Sequence, residues 1–251
     1  MEVPAAAPAH AQRPAGPIPW HTVKAVVFDM DDTLINWREA EHAAIGDLAR
    51  DHFANAGIPE PEVRAAYAQV MALNMAAFKA TGRWWYIGER LALLSQRLGT
   101  ERIVIGEVLA DHFKVRVVQH LALLPGALEA LAASRARGAR TALLTNGPGH
   151  VQRPKVDQFQ LGAHVDFVGI TGEIGHWKPS PLAFLHVLEK LGVRPEEAVM
   201  VGDSIDFDVL PARALGMHTV WVDPVETSHP SADLVVRAPD QLLPHLAKSG
   251  L

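Results

Sequence analysis

Lys24-Ala-Val-Val-Phe-Asp-Met-Asp-Asp-Thr-Leu34 runs from an apolar stretch straight into three carboxylates and a hydroxyl. Val26, Val27 and Phe28 form a short continuous apolar run, the pattern of a strand covered on both faces in a parallel sheet. Asp29 and Asp31 fall just past its carboxyl end, where open α/β sheets place their ligands. A buried strand that leads into clustered negative charge calls for a cation there. Asp and Thr also gather in ordinary turns, so the run carries little alone. An EF-hand is excluded: counted from Asp29, its sixth position needs Gly and its twelfth Glu, and the chain has Leu34 and Ala40.

Downstream segments repeat the design. Thr141-Ala-Leu-Leu144 ends in Thr145-Asn146-Gly147, a hydroxyl followed by a Gly turn whose backbone N–H groups suit an anion. Ala198-Val-Met-Val201 ends in Gly202-Asp203-Ser204, with Asp206 and Asp208 at the start of a helical pattern. Between them Lys178 precedes a helix that begins near Pro181, a residue suited to a first helical turn. Each feature has a plain alternative: Lys178 as a solvated loop charge, Asp206 and Asp208 as helix caps, Thr145 as a turn residue. Placed at the carboxyl ends of strands that a βαβ chain lays side by side, they make one pocket.

Taken in order, these four segments resemble the four motifs of the haloacid dehalogenase superfamily of aspartate-nucleophile hydrolases. The resemblance spans residues 24 to 223 and implies a Rossmann-like parallel α/β core with an inserted α-helical cap. It implies Asp29 as nucleophile, Asp31 as general acid/base and Lys178 as charge clamp. Thr145, with Asn146 and Gly147, is implied for phosphate binding, and Asp29, Asp31, Asp203 and Asp208 for a Mg²⁺ site. In that superfamily an Asp two residues after the nucleophile marks phosphatases and phosphomutases rather than dehalogenases. Asp31 therefore points to a phosphate-ester hydrolase acting through an aspartyl-phosphate, with a phosphomutase or a haloacid dehalogenase as alternatives. A phospho-acceptor signalling module, half this size and lacking a helical insert, is a poorer match.

Residues 37–121 read as helix throughout, far longer than an ordinary crossover. Ile45, Leu48, Ala49, His52 and Phe53 keep helical spacing on one face, and further helical patterns run over residues 62–79, 85–98 and 101–121. The segment resembles the C1-type cap of the superfamily, with hinges expected near Asn36–Trp37 and Leu123–Gly126, which leaves residues 21–36 and 122–251 for the core. Asn36, Trp37, Asn74, Phe78, Lys79, Arg83, Trp84, Trp85 and Tyr86 are its candidates for choosing the leaving group. Trp84, Trp85 and Tyr86 serve equally well as packing residues. Leu143-Leu-Thr-Asn-Gly147 with Gln152, Arg153 and Lys155 after it, Val201-Gly-Asp-Ser204 and Ala212-Arg-Ala-Leu-Gly216 are similar to the branch containing N-acylneuraminate-9-phosphatases and pyrimidine 5′-nucleotidases. That resemblance implies sugar phosphates or nucleoside monophosphates as substrates.

Composition limits the alternatives. The chain has 251 residues, 49% hydrophobic, and a net charge of −5, ample for a core and without the basic field that nucleic acid needs. A small-molecule phosphate ester is the expected partner, bound by a monomer or a homodimer. Cysteine is absent, which excludes disulfides, thiolate metal sites and a Cys nucleophile. Residues 1–20 are rich in Ala and Pro, without a basic n-region or a long apolar h-region, so a flexible tail is expected rather than a signal peptide. With no run of about 18 apolar residues to span a membrane, a cytoplasmic location is the default.

Overall fold

In a computed structural model, residues 16–225 and 227–247 are described. The chain divides into two compact units, one formed by the described residues up to Asn36 and from Leu123 onward, the other by Trp37–Ala122. The first is built on a six-stranded sheet in the order β3-β2-β1-β4-β5-β6. Its strands are β1 (Ala25–Phe28), β2 (Arg140–Thr145), β3 (Phe167–Ile170), β4 (Ala198–Gly202), β5 (His218–Val222) and β6 (Leu234–Val236). All pairings are parallel, the α/β architecture expected from the apolar strand runs.

All four residues of β1 are buried, because β1 lies centrally and helices cover both faces of such a sheet. Its register sets Phe28 opposite Leu143 of β2 and Val201 of β4. Asp29 is thus one residue past the last paired position, and its N–H still donates to Val201 O at 2.8 Å. On one face, Ala25, Val27, Leu144 and Met200 join Phe184, Val187 and Leu188 of helix Pro181–Leu191 in a continuous core. Burying one such Phe or Leu contributes about 1.5–3 kcal/mol, so the strand ends are held on a stiff base.

The second unit is helical: α1 (Trp37–Leu48), α2 (Glu60–Thr81), α3 (Ile87–Arg97) and α4 (Gly106–His120). The helical face foreseen over Ile45 to Phe53 is present, with Ile45, Leu48, Ala49 and Phe53 buried. Two boundaries differ from the sequence expectation. Residues 101–105 form a turn ahead of α4 rather than its first turns, and Trp85 and Tyr86 precede α3 rather than opening it. Tyr86 instead caps α3, its backbone N–H donating to the Glu89 carboxylate at 3.0 Å, so the helix begins where that cap forms. Among the described residues no helix is long and apolar enough to cross a membrane.

In the first unit the remaining helices are α5 (Ala127–Ala136), α6 (Gly149–Gln158), α7 (Thr171–Ile174), α8 (Pro181–Leu191), α9 (Leu210–Ala214) and α10 (Leu243–Leu246). Residues 1–15 of the expected tail lie outside the described residues. Residues 16–20 do not behave as a tail: Ile18 is buried, Gly16 N–H donates to Asp233 at 3.0 Å, and Arg137 sits 5.3 Å above the Trp20 ring. The apolar Ile18 and the indole make that attachment favourable.

Candidate active site

The carboxyl ends of β1, β2 and β4 and the loop before α8 bring the singled-out residues together. Lys178 Nζ donates to Asp29 Oδ1 at 2.7 Å and to Asp208 Oδ1 at 2.6 Å. All three side chains are buried, Lys178 at 2% exposure and Asp208 at 1%. Asp208 is steered by the turn after β4: its Oδ2 accepts from Ser204 N–H at 3.1 Å. Gly202 makes that approach possible, because a Cβ there would lie 2.4 Å from Asp208 Cγ. Asp203 completes the group, with one oxygen from each of Asp29, Asp203 and Asp208 lying within 4.8 Å of the others. The indole Nε1–H of Trp221 on β5 donates to Asp203 O at 2.8 Å and ties that loop to the neighbouring strand.

Burial pushes the Asp29 carboxyl well above its ordinary range. The adjacent Lys178 ammonium opposes this, and the Asp208 and Asp203 carboxylates add to it. Burial also works against the charged form of Lys178, but the Asp208 and Asp29 carboxylates outweigh it and its pKa ends above that of an ordinary lysine. Lys178 therefore stays charged, and Asp29 bears the cost of crowding. Three carboxylates around one ammonium leave an excess of negative charge, with an all-oxygen donor set that suits a hard divalent cation such as Mg²⁺.

Thr145, Asn146 and Gly147 follow β2, but the structure uses them unequally. The Thr145 hydroxyl is buried and accepts from Gln152 Nε2 at 2.7 Å. Asn146 turns its amide to the main chain of Lys178, accepting from its N–H at 2.9 Å and donating to its C=O at 3.0 Å. It fixes the lysine's backbone rather than facing an anion. The Gly147 N–H, expected to be available to an anion, donates to Thr171 Oγ1 at 3.0 Å. Gly147 has φ of +151°, and a Cβ there would lie 2.7 Å from Gln152 Cγ. Glycine is thus required by the turn rather than for an open amide.

Asp31, expected among the metal ligands, stands outside the group of three carboxylates. Its oxygens accept from Lys155 Nζ at 2.9 and 2.8 Å and from Gln152 Nε2 at 3.0 Å. The side-chain oxygens are engaged by α6 because Gln152 and Lys155, three residues apart, share a helix face. Neither was singled out as a site residue. The available signal was two long polar side chains at that spacing, five and eight residues after Gly147.

In the helical unit Trp84 packs edge-on against Phe78, with ring centroids 5.5 Å apart. Trp85 N–H donates to the buried Asn74 Oδ1 at 2.8 Å. Tyr86 is exposed, and Arg83 pairs with Glu89. Trp84 thus packs inside its own unit, and Asn74 holds the Trp85 main chain there.

Comparisons with known proteins place the chain among haloacid dehalogenase-like hydrolases, with dehalogenases and a candidate beta-phosphoglucomutase also among the structural neighbours. A family model described as haloacid dehalogenase-like hydrolase matches residues 23–216. The phosphoserine phosphatase of Thermus thermophilus is 34% identical, over 80% of this chain and 89% of that protein. The N-acylneuraminate-9-phosphatase of Mus musculus is 27% identical, over 80% of this chain and 83% of that one. Among solved structures, the HAD phosphatase of Thermococcus onnurineus superposes with a TM-score of 0.61 at 27% identity, covering 90% of this chain and 98% of that chain.

Proposed function

Because the chain belongs to the haloacid dehalogenase-like hydrolase family, we propose that it is a phosphatase that cleaves small phosphate monoesters through an aspartyl-phosphate on Asp29. Sugar phosphates and nucleoside monophosphates are the substrate classes we assign. The observation that carries this reading is the Asp29–Lys178–Asp208 contact with Asp203 beside it.

Uncatalysed phosphate-monoester hydrolysis is so slow that on the order of 20 kcal/mol of barrier must be removed. Asp29, Asp203 and Asp208 would hold Mg²⁺, which when bound offsets the repulsion between carboxylate and phosphate. Lys178 and the Thr145 hydroxyl hold the phosphate oxygens, Lys178 as a point charge. An Asp29 oxygen attacks phosphorus and the ester P–O bond breaks. The bonding electron pair passes to the ester oxygen, which takes a proton from Asp31. A water then attacks the phosphorus while Asp31 accepts its proton, freeing inorganic phosphate and the Asp29 carboxylate. Residues Trp37–Ala122 take the part of the C1-type cap in this reading.

Assay of a panel that includes phosphoserine, N-acylneuraminate 9-phosphate, sugar phosphates and nucleoside monophosphates, with and without Mg²⁺, tests the proposal. Mg²⁺-dependent release of phosphate carrying oxygen from heavy-oxygen water is expected. Asp29→Asn is expected to lower kcat by about a thousandfold or more. Full activity in that variant overturns the nucleophile assignment, and transfer of the phosphoryl group to a second sugar position without phosphate release identifies a phosphomutase instead.

A further inference from the structure

We propose that Lys155 and Gln152 are positioning residues for proton transfer, holding the Asp31 carboxylate on the leaving-group oxygen and coupling it to Thr145. The inference rests on the phosphatase reading given above. Lys155 Nζ meets both Asp31 oxygens, at 2.9 and 2.8 Å. A single Gln152 amide nitrogen lies 3.0 Å from Asp31 Oδ2, 2.7 Å from Thr145 Oγ1 and 2.8 Å from Asn146 O. One helix face therefore joins the group that exchanges the proton to the hydroxyl that holds the phosphate.

Two features separate this arrangement from an ordinary structural ion pair. The Lys155 side chain is 6% exposed while that of Asp31 is 24% exposed, so the buried lysine loses its hydration for a partner that stays partly exposed. Such a pair is poor stabilisation. Gln152 is 1% exposed, and among the described residues its Oε1 finds no hydrogen-bond donor. The amide thus keeps its N–H₂ toward Asp31 and Thr145 although its own oxygen is left buried and unpaired. Cost tolerated at a site where geometry matters is the pattern of functional selection.

When the ester P–O bond breaks and its electron pair passes to oxygen, the proton on Asp31 moves to that oxygen and a carboxylate appears. Lys155 sits where this negative charge develops, and Gln152 fixes the angle of the carboxylate. An alkyl leaving group needs the proton, whereas p-nitrophenolate leaves without it. The test compares kcat/KM for an alkyl phosphate and for p-nitrophenyl phosphate in the full-length protein with Mg²⁺. Lys155→Met is expected to lower the alkyl-to-aryl ratio at least about tenfold, and Lys155→Arg to restore most of it. Arg153→Met, two residues away in the chain and paired with Glu173, is expected to leave the ratio unchanged.

A folded Lys155→Met variant with the wild-type ratio overturns the inference, as does a parallel fall on both substrates, which is the signature of a purely structural lysine. Should Lys155→Met not fold, Gln152→Met keeps the charge pair and is read in the same way. An unchanged ratio there is equally fatal. Wild-type protein inactive on every ester overturns the phosphatase reading itself, and is thereby distinguishable from failure of the Lys155 assignment alone.

Discussion

The surroundings of Asp29 oppose its charged form. Burial first, then the Asp208 and Asp203 carboxylates, raise its pKa in the fold, and Lys178 offsets only part of this. A carboxyl whose folded pKa lies above its unfolded value destabilises the fold at pH above both, and the effect fades as pH falls toward the unfolded value of 3.8. In metal-free buffer at neutral pH, Asp29→Asn is therefore expected to melt about 2–4 °C higher than wild type, near 1 kcal/mol for a chain of this size. The gain disappears on acidification; a melt no higher than wild type at pH 7 refutes the crowding argument. Lys178→Met has the opposite sign. It leaves Asp29 and Asp208 buried without their shared cation and is expected to cost about 3–5 kcal/mol, measurable by urea denaturation. At this scale the sequence placed Asp29 and Asp203 at the ends of apolar runs and Asp208 at the start of a helical pattern, and the fold brings the three together. It did not disclose Gln152 or Lys155, whose partners are 121 and 124 residues distant in the chain and are defined only once β1 and β2 lie side by side.

The turn between β4 and the following helix shows how elements aim these side chains. Gly202 ends the strand, Ser204 caps the next turn by accepting from Phe207 N–H at 3.2 Å, and Asp208 folds back over the glycine. Gly202→Ala inserts a methyl where Asp208 stands and is expected to reduce kcat by about a hundredfold with an unchanged circular dichroism spectrum. An active Gly202→Ala enzyme contradicts the close approach described for that turn. Elements with continuous apolar runs, β1, β2 and β4, were legible because both faces are buried. β3 and β6 were not. β3 includes Gly169, and β6 has only three residues, two of them half-buried, so neither presents a distinctive period. The start of α4 was likewise displaced, since Ile103, Val104 and Ile105 are β-branched and poor helix formers, and residues 101–105 form a turn instead.

For the molecule as a whole, the three carboxylates predict that Mg²⁺ and the folded state are linked. A cation bound only by the native protein raises stability by about 2.7 kcal/mol at a hundred times its Kd. Added Mg²⁺ is expected to raise the melting temperature, EDTA to reverse the shift, and Asp203→Asn to abolish most of it. No shift with Mg²⁺ in wild type removes the three acids as its site. The sequence conveyed the division into an α/β core and a helical insert through the length of the helical stretch. It did not convey how the chain closes behind that insert. Ile35 and Leu123 form an antiparallel bridge, and Leu124 N–H donates to Leu34 O at 2.8 Å. The departing and returning strands are thus stitched together within the core itself, which makes the segment Trp37–Ala122 a plug-in cassette behind one doorway. Changes in length or composition within that cassette can therefore leave the Ile35–Leu123 closure untouched.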